Sequence, residues 1–265
     1  MIVEKTAFKK ISFLFYIVLS FWHFISLGSF SLAQANEIQA AVATNFYNPF
    51  KEIVRQFERR TGHKVLIISG STGKLYAQIV NGAPFDLFLA ADSRRPQLLE
   101  KEDKIIPGTR FNYALGKITL WSPDANTISD NVESTLLRKN FAHLAMANPV
   151  TAPYGKATLQ TLKKLGLWDK LRPLVVQGEN IGQTFQFVFS KNAELGFVSL
   201  SQVLDPKNIQ KGKRVDVPDE YYDPLKQDVV LLKKEKLNHG AKDLWQFLRG
   251  DLAKRIIKKY GYGLP

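Results

Sequence analysis

The chain has 265 residues, a length typical of about two domains. Hydrophobic residues make up 45% and charged residues 23%, which excludes a disordered chain, a collagen and a coiled coil. The formal net charge of +13 points to an anionic partner, and the absence of Cys excludes thiol catalysis, zinc–thiolate sites and disulfides. The 4 His residues are far apart and lack metal-ligand spacing, so we expect no resident metal site.

The first 35 residues have the pattern of a targeting segment. Basic residues precede an almost wholly apolar run, Ile11–Leu32, and the small-x-small pattern Ala33-Gln34-Ala35 follows it. This order predicts a signal peptide that is cleaved near Ala35, and a protein exported to the periplasm. An uncleaved anchor is the alternative, because the apolar run is long enough to span a bilayer. Without Cys no lipid anchor can form, so we expect the exported protein to be free.

Strand and helix patterns alternate along the next part of the chain. Apolar and β-branched runs predict strands, and apolar spacing of i, i+3, i+4 and i+7 predicts helices. The predicted elements are a strand over 38–43, a helix through Phe50 and Phe57 that ends at Thr61-Gly62, a strand over 65–68, a helix through Leu75 and Ile79, and a strand over 85–90. This order, β-α-β-α-β, requires a parallel sheet covered by helices.

A second α/β unit follows. The predicted elements are strands over 117–121 and 143–146, a helix over 155–165, a strand over 174–176, a helix over 181–190, strands over 196–198 and 228–232, and two short helices around Trp245 and Ile256. The strand over 117–121 would carry the chain out of the first unit and the strand over 228–232 would carry it back, which makes a hinge. We therefore predict a signal peptide over 1–35, a first lobe formed by 36–117 with 229–265, and a second lobe over 118–228.

The sequence offers little for catalysis. The stretch Ser69–Lys74 resembles half of a phosphate loop, but a true loop needs Gly at 68 and Ser or Thr at 75, where this chain has Ile68 and Leu75. The nucleophile elbow, the zinc-protease motif and the dinucleotide fingerprint are all absent from the sequence. We therefore expect a binding protein rather than an enzyme.

Polar residues instead mark four turns that lead into predicted helices. These turns are Thr44-Asn45, Ser71-Thr72-Gly73, Ala152–Gly155 and Asn180-Ile181-Gly182. Helix N-termini carry unpaired N–H groups and bind anions, and ligands of open α/β sheets lie beyond the carboxyl ends of strands. The alternative is that these residues are ordinary helix caps. Two such turns in each unit, across a hinge, favour a ligand site.

The same stretches resemble the family of periplasmic molybdate-binding proteins, the substrate-binding components of molybdate ABC importers. The matching motifs are Ala41–Asn45, Ser69–Lys74, Tyr76–Pro84, Asp86–Phe88, Ala91-Asp92, Ala147–Gly155, Asn180–Gln183 and Leu195–Val198. They occur in order over essentially the whole chain after the targeting segment.

The resemblance implies a two-lobed periplasmic-binding-protein fold of type II-like topology, α/β in class, with a ligand cleft between the lobes. It implies that neutral hydroxyl, amide and backbone N–H donors hold a tetrahedral oxyanion without direct metal ligands and without a cofactor. Carried over by position, the ligand residues are Thr44, Asn45, Ser71, Thr72, Tyr154 and Ile181, with Ser71 or Thr72 as the direct donor at the second turn. The implied partners are molybdate, or tungstate, which has nearly the same size, and a membrane permease. We expect a monomer.

Three alternatives remain open at this point. A receptor for sulfate, phosphate or another oxyanion would use the same kind of site. An exported enzyme on the same scaffold would need a convergent acid, base or nucleophile in the cleft. A nucleic-acid-binding module would use the positive charge but would need a basic stripe with interleaved aromatic residues. We expect no nucleic-acid partner.

Overall fold

The computed structural model describes residues 37–208 and 212–265, so the predicted signal peptide over 1–35 lies outside the described residues. Strands lie at β1 Ile38–Ala43, β2 Val65–Gly70, β3 Leu87–Leu89, β4 Phe111–Gly116, β5 Ile118–Ser122, β6 Leu144–Ala147, β7 Val175–Gly178, β8 Leu195–Ser199, β9 Lys213–Asp216 and β10 Leu225–Leu231. Helices lie at α1 Tyr47–Thr61, α2 Thr72–Val80, α3 Arg94–Lys101, α4 Val132–Arg138, α5 Pro153–Lys164, α6 Trp168–Leu171, α7 Ile181–Phe189, α8 Leu200–Val203, α9 His239–Leu248 and α10 Asp251–Lys259.

The strands form two five-stranded sheets of equivalent design. Sheet I has the order β2-β1-β3-β10-β4, and sheet II has the order β7-β6-β8-β5-β9. In each sheet the strand next to one edge, β1 or β6, pairs in parallel with both neighbours. The strand next to the other edge, β10 or β5, runs antiparallel to both of its neighbours. This arrangement confirms the predicted α/β fold with two sheets flanked by helices.

Helices cover both faces of each sheet, and β1 shows why. Its alternate residues Ile38, Ala40 and Val42 pack into the apolar core that holds α1, α9 and α10. Ala41 points to the opposite face, against the core that holds Leu75 of α2. Since successive side chains of a strand point to opposite faces, a strand that is apolar throughout must be buried on both.

The chain passes from sheet I to sheet II within one residue, because β4 ends at Gly116 and β5 begins at Ile118. It returns through β10, which pairs with β4 from Leu225 onward and carries a bulge between Gln227 and Asp228. The strand predicted over 228–232 therefore begins three residues earlier, at Leu225. Its partner β4 was not predicted, because Phe111–Gly116 mixes buried and half-buried residues without a clear apolar period.

None of the helices in 37–208 and 212–265 is both long and apolar enough to cross a membrane.

Candidate functional site

The four polar turns of the sequence converge on one small cavity. Two of them follow the carboxyl ends of β1 and β2 in sheet I, and two lead into α5 and α7, which cover sheet II. The cavity is lined by Ala43, Thr44, Asn45, Gly70, Ser71, Thr72, Ala91, Ala152, Pro153, Tyr154, Asn180 and Ile181. All six residues predicted to bind a ligand are in this set, and none of the described residues that line the cavity is charged.

The enclosed space is about 10 Å³. This space is near the lower limit for holding one water molecule, so its walls must move apart before any larger ligand, an oxyanion included, can bind.

Two hydroxyls in the lining have no hydrogen-bond partner among the residues that the structure describes. Thr44 Oγ1 and Ser71 Oγ are fully buried atoms without a hydrogen bond. A buried hydroxyl left unsatisfied costs about 1–3 kcal/mol. Two other buried polar atoms share this property, Asn112 Oδ1 and Thr151 Oγ1, but neither residue lines the cavity.

Thr72 also lines the cavity, but its hydroxyl has a structural partner. Thr72 Oγ1 accepts the N–H of Ala91 at 3.0 Å and so joins the start of α2 to the segment after β3. The second turn therefore presents one hydroxyl engaged with the backbone and one, Ser71 Oγ, that is not.

The N-terminus of α7 contributes backbone donors. Asn180 caps this helix, and its side-chain oxygen accepts the N–H of Gln183 at 3.0 Å. The first N–H groups of a helix have no intrahelical acceptor, so the N–H of Ile181 is directed away from the helix. The start of α7 lies very close to the turn after β1 of sheet I, since a Cβ added at Gly182 would lie 2.3 Å from Thr44 Cγ2. Only glycine fits there.

Tyr154 and Asn45 meet in a buried hydrogen-bond network behind the cavity. Tyr154 Oη accepts from Gln227 Nε2 at 3.1 Å and from Asn45 Nδ2 at 3.4 Å. Asn45 Nδ2 also donates to Gln227 Oε1 and to Tyr262 Oη, both at 2.9 Å. The side-chain N–H groups of Asn45 are therefore directed into the network.

Burial keeps the phenols of this network neutral. It raises the pKa of Tyr154 well above its ordinary value of 10.0, and the neighbouring Tyr262 adds to the effect. Burial likewise raises the pKa of Tyr262 to about 12. A neutral phenol can donate its proton at physiological pH, whereas a phenolate could not.

Sequence reasoning missed the rest of this network. Gln227, Tyr262 and Ser201 are buried side chains that no motif singled out, and Tyr262 Oη lies 2.8 Å from Asn45 O and 2.9 Å from Ser201 Oγ. The partners are 182 and 217 residues from Asn45 along the chain. No local signal in the sequence could have found them.

Direct contacts between the two sheets' helices and loops close the cavity. Gly73 N–H donates to Thr151 O at 2.8 Å, and Asn48 Nδ2 donates to Asp205 Oδ2 at 2.6 Å. Lys74 and Glu179 form an exposed ion pair between the same two halves of the structure.

Larger open grooves flank the cavity on two sides. One of about 390 Å³ shares Thr44 and Asn45 with it, and one of about 250 Å³ shares Ala152 and Pro153. They are the two ends of the cleft between the sheets. The small cavity is the stronger candidate, because both unpartnered residues, Thr44 and Ser71, line it, whereas the larger grooves hold at most one of them.

Comparisons with known proteins agree with this geometry. The family model described as bacterial extracellular solute-binding protein matches residues 38–263. The molybdate-binding protein of Azotobacter vinelandii is 50% identical over 233 residues, which are 88% of this chain and 92% of the relative. That of Rhodobacter capsulatus is 42% identical over 87% of this chain and 89% of the relative. A solved structure of the periplasmic molybdate-binding protein of A. vinelandii superimposes with a TM-score of 0.82 at 39% identity, over 86% of this chain and 99% of that one.

Proposed function

Because the chain belongs to the family of bacterial extracellular solute-binding proteins, we propose that it binds molybdate in the periplasm and delivers it to the membrane permease of an ABC importer. The observation that carries this proposal is the pair of unpartnered buried hydroxyls, Thr44 Oγ1 and Ser71 Oγ, in a cavity lined by uncharged residues. The names of the relatives from A. vinelandii and R. capsulatus support molybdate as the ion.

The site holds the ion with neutral donors. Thr44 and Ser71 donate their hydroxyl protons, Tyr154 donates its phenol proton, and Ile181 donates its backbone N–H. Thr72 lines the same turn while its oxygen accepts the N–H of Ala91. Asn45 contributes its backbone at the first turn, because its side-chain N–H groups are bonded within the network.

This donor set suits a fully deprotonated dianion. Burying such an ion is costly unless donors replace its hydration, and hydrogen bonds to charged groups are stronger than neutral ones. An oxyanion that still carries a proton would bring a donor to a site made of donors. Charge therefore selects the dianion, and the size of the ion, rather than its charge, must separate molybdate from sulfate. Tungstate has nearly the size of molybdate and binds as well.

Capture follows from the two-sheet design. The first lobe is formed by 36–117 with 225–265 and the second by 118–224, with the hinge at the two crossings between the sheets. This boundary lies before the predicted one at 228, because β10 pairs with β4 of sheet I from Leu225 onward. The ion binds between the lobes, and the contacts between Gly73 and Thr151 and between Asn48 and Asp205 hold the closed form. The protein acts as a monomer and as a receptor rather than an enzyme.

Calorimetry tests the ligand. The protein purified from the periplasm is titrated with molybdate, tungstate, sulfate and phosphate. We expect one molybdate or tungstate per chain and much weaker binding of sulfate and phosphate. Tight binding of sulfate or phosphate without molybdate would refute the proposal and favour another oxyanion receptor.

Export is tested on the same preparation. Its intact mass should correspond to a chain that begins after Ala35. A mass that still includes residues 1–35 would instead show an uncleaved anchor.

A further inference from the structure

Gln227 lies at the centre of the buried network and joins sheet I to a helix that covers sheet II. Its side chain is fully buried on β10, directly before the bulge at Asp228. Gln227 Oε1 accepts from Asn45 Nδ2 at 2.9 Å and from Tyr113 Oη at 3.1 Å. Gln227 Nε2 donates to Tyr154 Oη at 3.1 Å.

The partners of Gln227 fix the orientation of its amide group. The Asn45 amide nitrogen can only donate, so the Gln227 side chain must present its oxygen to Asn45. The nitrogen end of Gln227 then faces Tyr154 and can only donate. The phenol oxygen of Tyr154 must therefore accept this bond, and its own proton can turn to the neighbouring Tyr262 or to a ligand in the cavity.

The backbone leaves room for this contact at one glycine. A Cβ added at Gly116 would lie 2.4 Å from both Gln227 Nε2 and Tyr154 Oη. Gly116 is the last residue of β4, at the point where the chain crosses from sheet I to sheet II. The hydrogen bond between Gln227 and Tyr154 thus joins a strand of sheet I to a helix that covers sheet II, beside the crossing.

We infer that Gln227 is a positioning residue, which turns the phenol proton of Tyr154 toward the oxyanion cavity. Gln227 does not line that cavity, whereas Tyr154 does. Its effect on the ion therefore passes through Tyr154. This inference rests on the proposed function, since it assigns the orientation of one donor in the same site.

A double-mutant cycle separates positioning from a purely structural role. The variants are Gln227→Met, which keeps the length of the side chain without its amide, Tyr154→Phe, and the two combined. Molybdate affinity is measured by calorimetry, and thermal melting checks that each variant is folded. We expect Gln227→Met to weaken binding about tenfold, the value of one hydrogen bond to a charged group. In the Tyr154→Phe background the same change should cost less than about twofold, because the phenol proton is already gone.

Tyr113→Phe is the matched control. It removes a phenol oxygen that lies 3.1 Å from both Gln227 Oε1 and Ala90 O, and Tyr113 does not line the cavity. Affinity should stay within about twofold of the parent protein. A tenfold loss in this control would show that any damage to the network lowers affinity, and would overturn the inference.

Two further outcomes would also overturn it. One is unchanged affinity in a folded Gln227→Met variant, and the other is an equal loss with and without the Tyr154 hydroxyl. If Gln227→Met does not fold, Gln227→Glu replaces it, since Glu keeps the acceptor for Asn45 and Tyr113 and loses only the donor. A loss caused by the new charge alone would persist in the Tyr154→Phe background, whereas a loss caused by misdirection of the phenol proton would disappear there.

The cycle is run with molybdate, or with sulfate if the parent protein binds sulfate instead. A parent protein that binds sulfate refutes the proposed ion, yet the coupling between Gln227 and Tyr154 is still measured. A parent protein that binds neither ion overturns both the proposed function and the role of Gln227.

Discussion

Replacing Ser71 by Ala removes a buried hydroxyl that has no hydrogen-bond partner among the described residues. The free protein therefore loses no hydrogen bond in Ser71→Ala, and its thermal stability should change little. The bound protein loses one donor to a charged oxygen. A hydrogen bond to a charged group contributes about 1.5–3 kcal/mol, so affinity should fall about 10- to 150-fold.

The neighbouring Thr72 provides the matched control because its hydroxyl is engaged. Thr72→Val preserves the shape of the side chain but removes the acceptor of the Ala91 N–H. Leaving that buried N–H unsatisfied costs about 1–3 kcal/mol. For a protein of this size, 1 kcal/mol shifts the melting temperature by about 2–4 °C, so Thr72→Val should melt roughly 2–12 °C lower.

Calorimetry with molybdate and thermal melting of the free protein measure both effects on the same samples. Ser71→Ala should lose affinity and keep its melting temperature within about 2 °C, since it loses no hydrogen bond within the protein. Unchanged molybdate affinity in Ser71→Ala would refute its assignment as the donor at the second turn. A melting temperature that falls as far as in Thr72→Val would refute the statement that its hydroxyl is unpartnered.

Three further predictions concern pH, packing and charge. Burial raises the folded-state pKa of Tyr113, Tyr154 and Tyr262 above 10.0. Their contribution to the free energy of unfolding is therefore fully present below pH 10. Above pH 10 the tyrosines ionise in the unfolded chain first, and each lowers the free energy of unfolding by about 1.4 kcal/mol per pH unit. Urea unfolding between about pH 8 and 11 measures this slope, which should be shallower in Tyr154→Phe; a flat profile would contradict it. Gly182→Ala places a Cβ 2.3 Å from Thr44 Cγ2. The resulting overpacking in the closed form should weaken molybdate binding by about 1–3 kcal/mol. An unchanged affinity by calorimetry would contradict this prediction. Raising NaCl from about 0.05 to 0.5 M should slow association of molybdate with this basic protein and leave dissociation nearly unchanged, because salt screens long-range attraction more than buried contacts; stopped-flow fluorescence that showed mainly faster dissociation would instead place the ion in an exposed basic patch.

The order of the elements could be read from the sequence because it depends on local patterns. The strand predicted over 38–43 matches β1, and the helix predicted to end at Thr61-Gly62 ends there, with Gly62 at a φ of 76°. Glycine adopts this left-handed conformation without the steric penalty that other residues pay. The α/β class followed from the alternation of such elements, and the resemblance to molybdate-binding proteins is confirmed by the family model and the relatives.

The short and irregular strands were harder to predict. β4 and β9 lack a continuous apolar run, since β4 is partly half-buried and β9 is largely exposed. The start of β10 at Leu225 depends on pairing with β4. Because β4 was not predicted, the start of β10 was predicted too late. Strand formation at such sites is decided by partners that are distant in the chain.

For the candidate site, the sequence by itself determined which turns carry hydroxyl, amide and phenol groups. Each of these turns joins a strand to a helix, and a helix start exposes N–H groups wherever it lies in the fold. Only the tertiary structure decided what each group faces. It leaves Ser71 Oγ without a partner, engages Thr72 Oγ1 with Ala91, and directs the amide nitrogen of Asn45 to Gln227 and Tyr262, 182 and 217 residues away. Local sequence sets the inventory of donors, but the direction of a hydrogen bond depends on the packing of elements that the sequence keeps far apart.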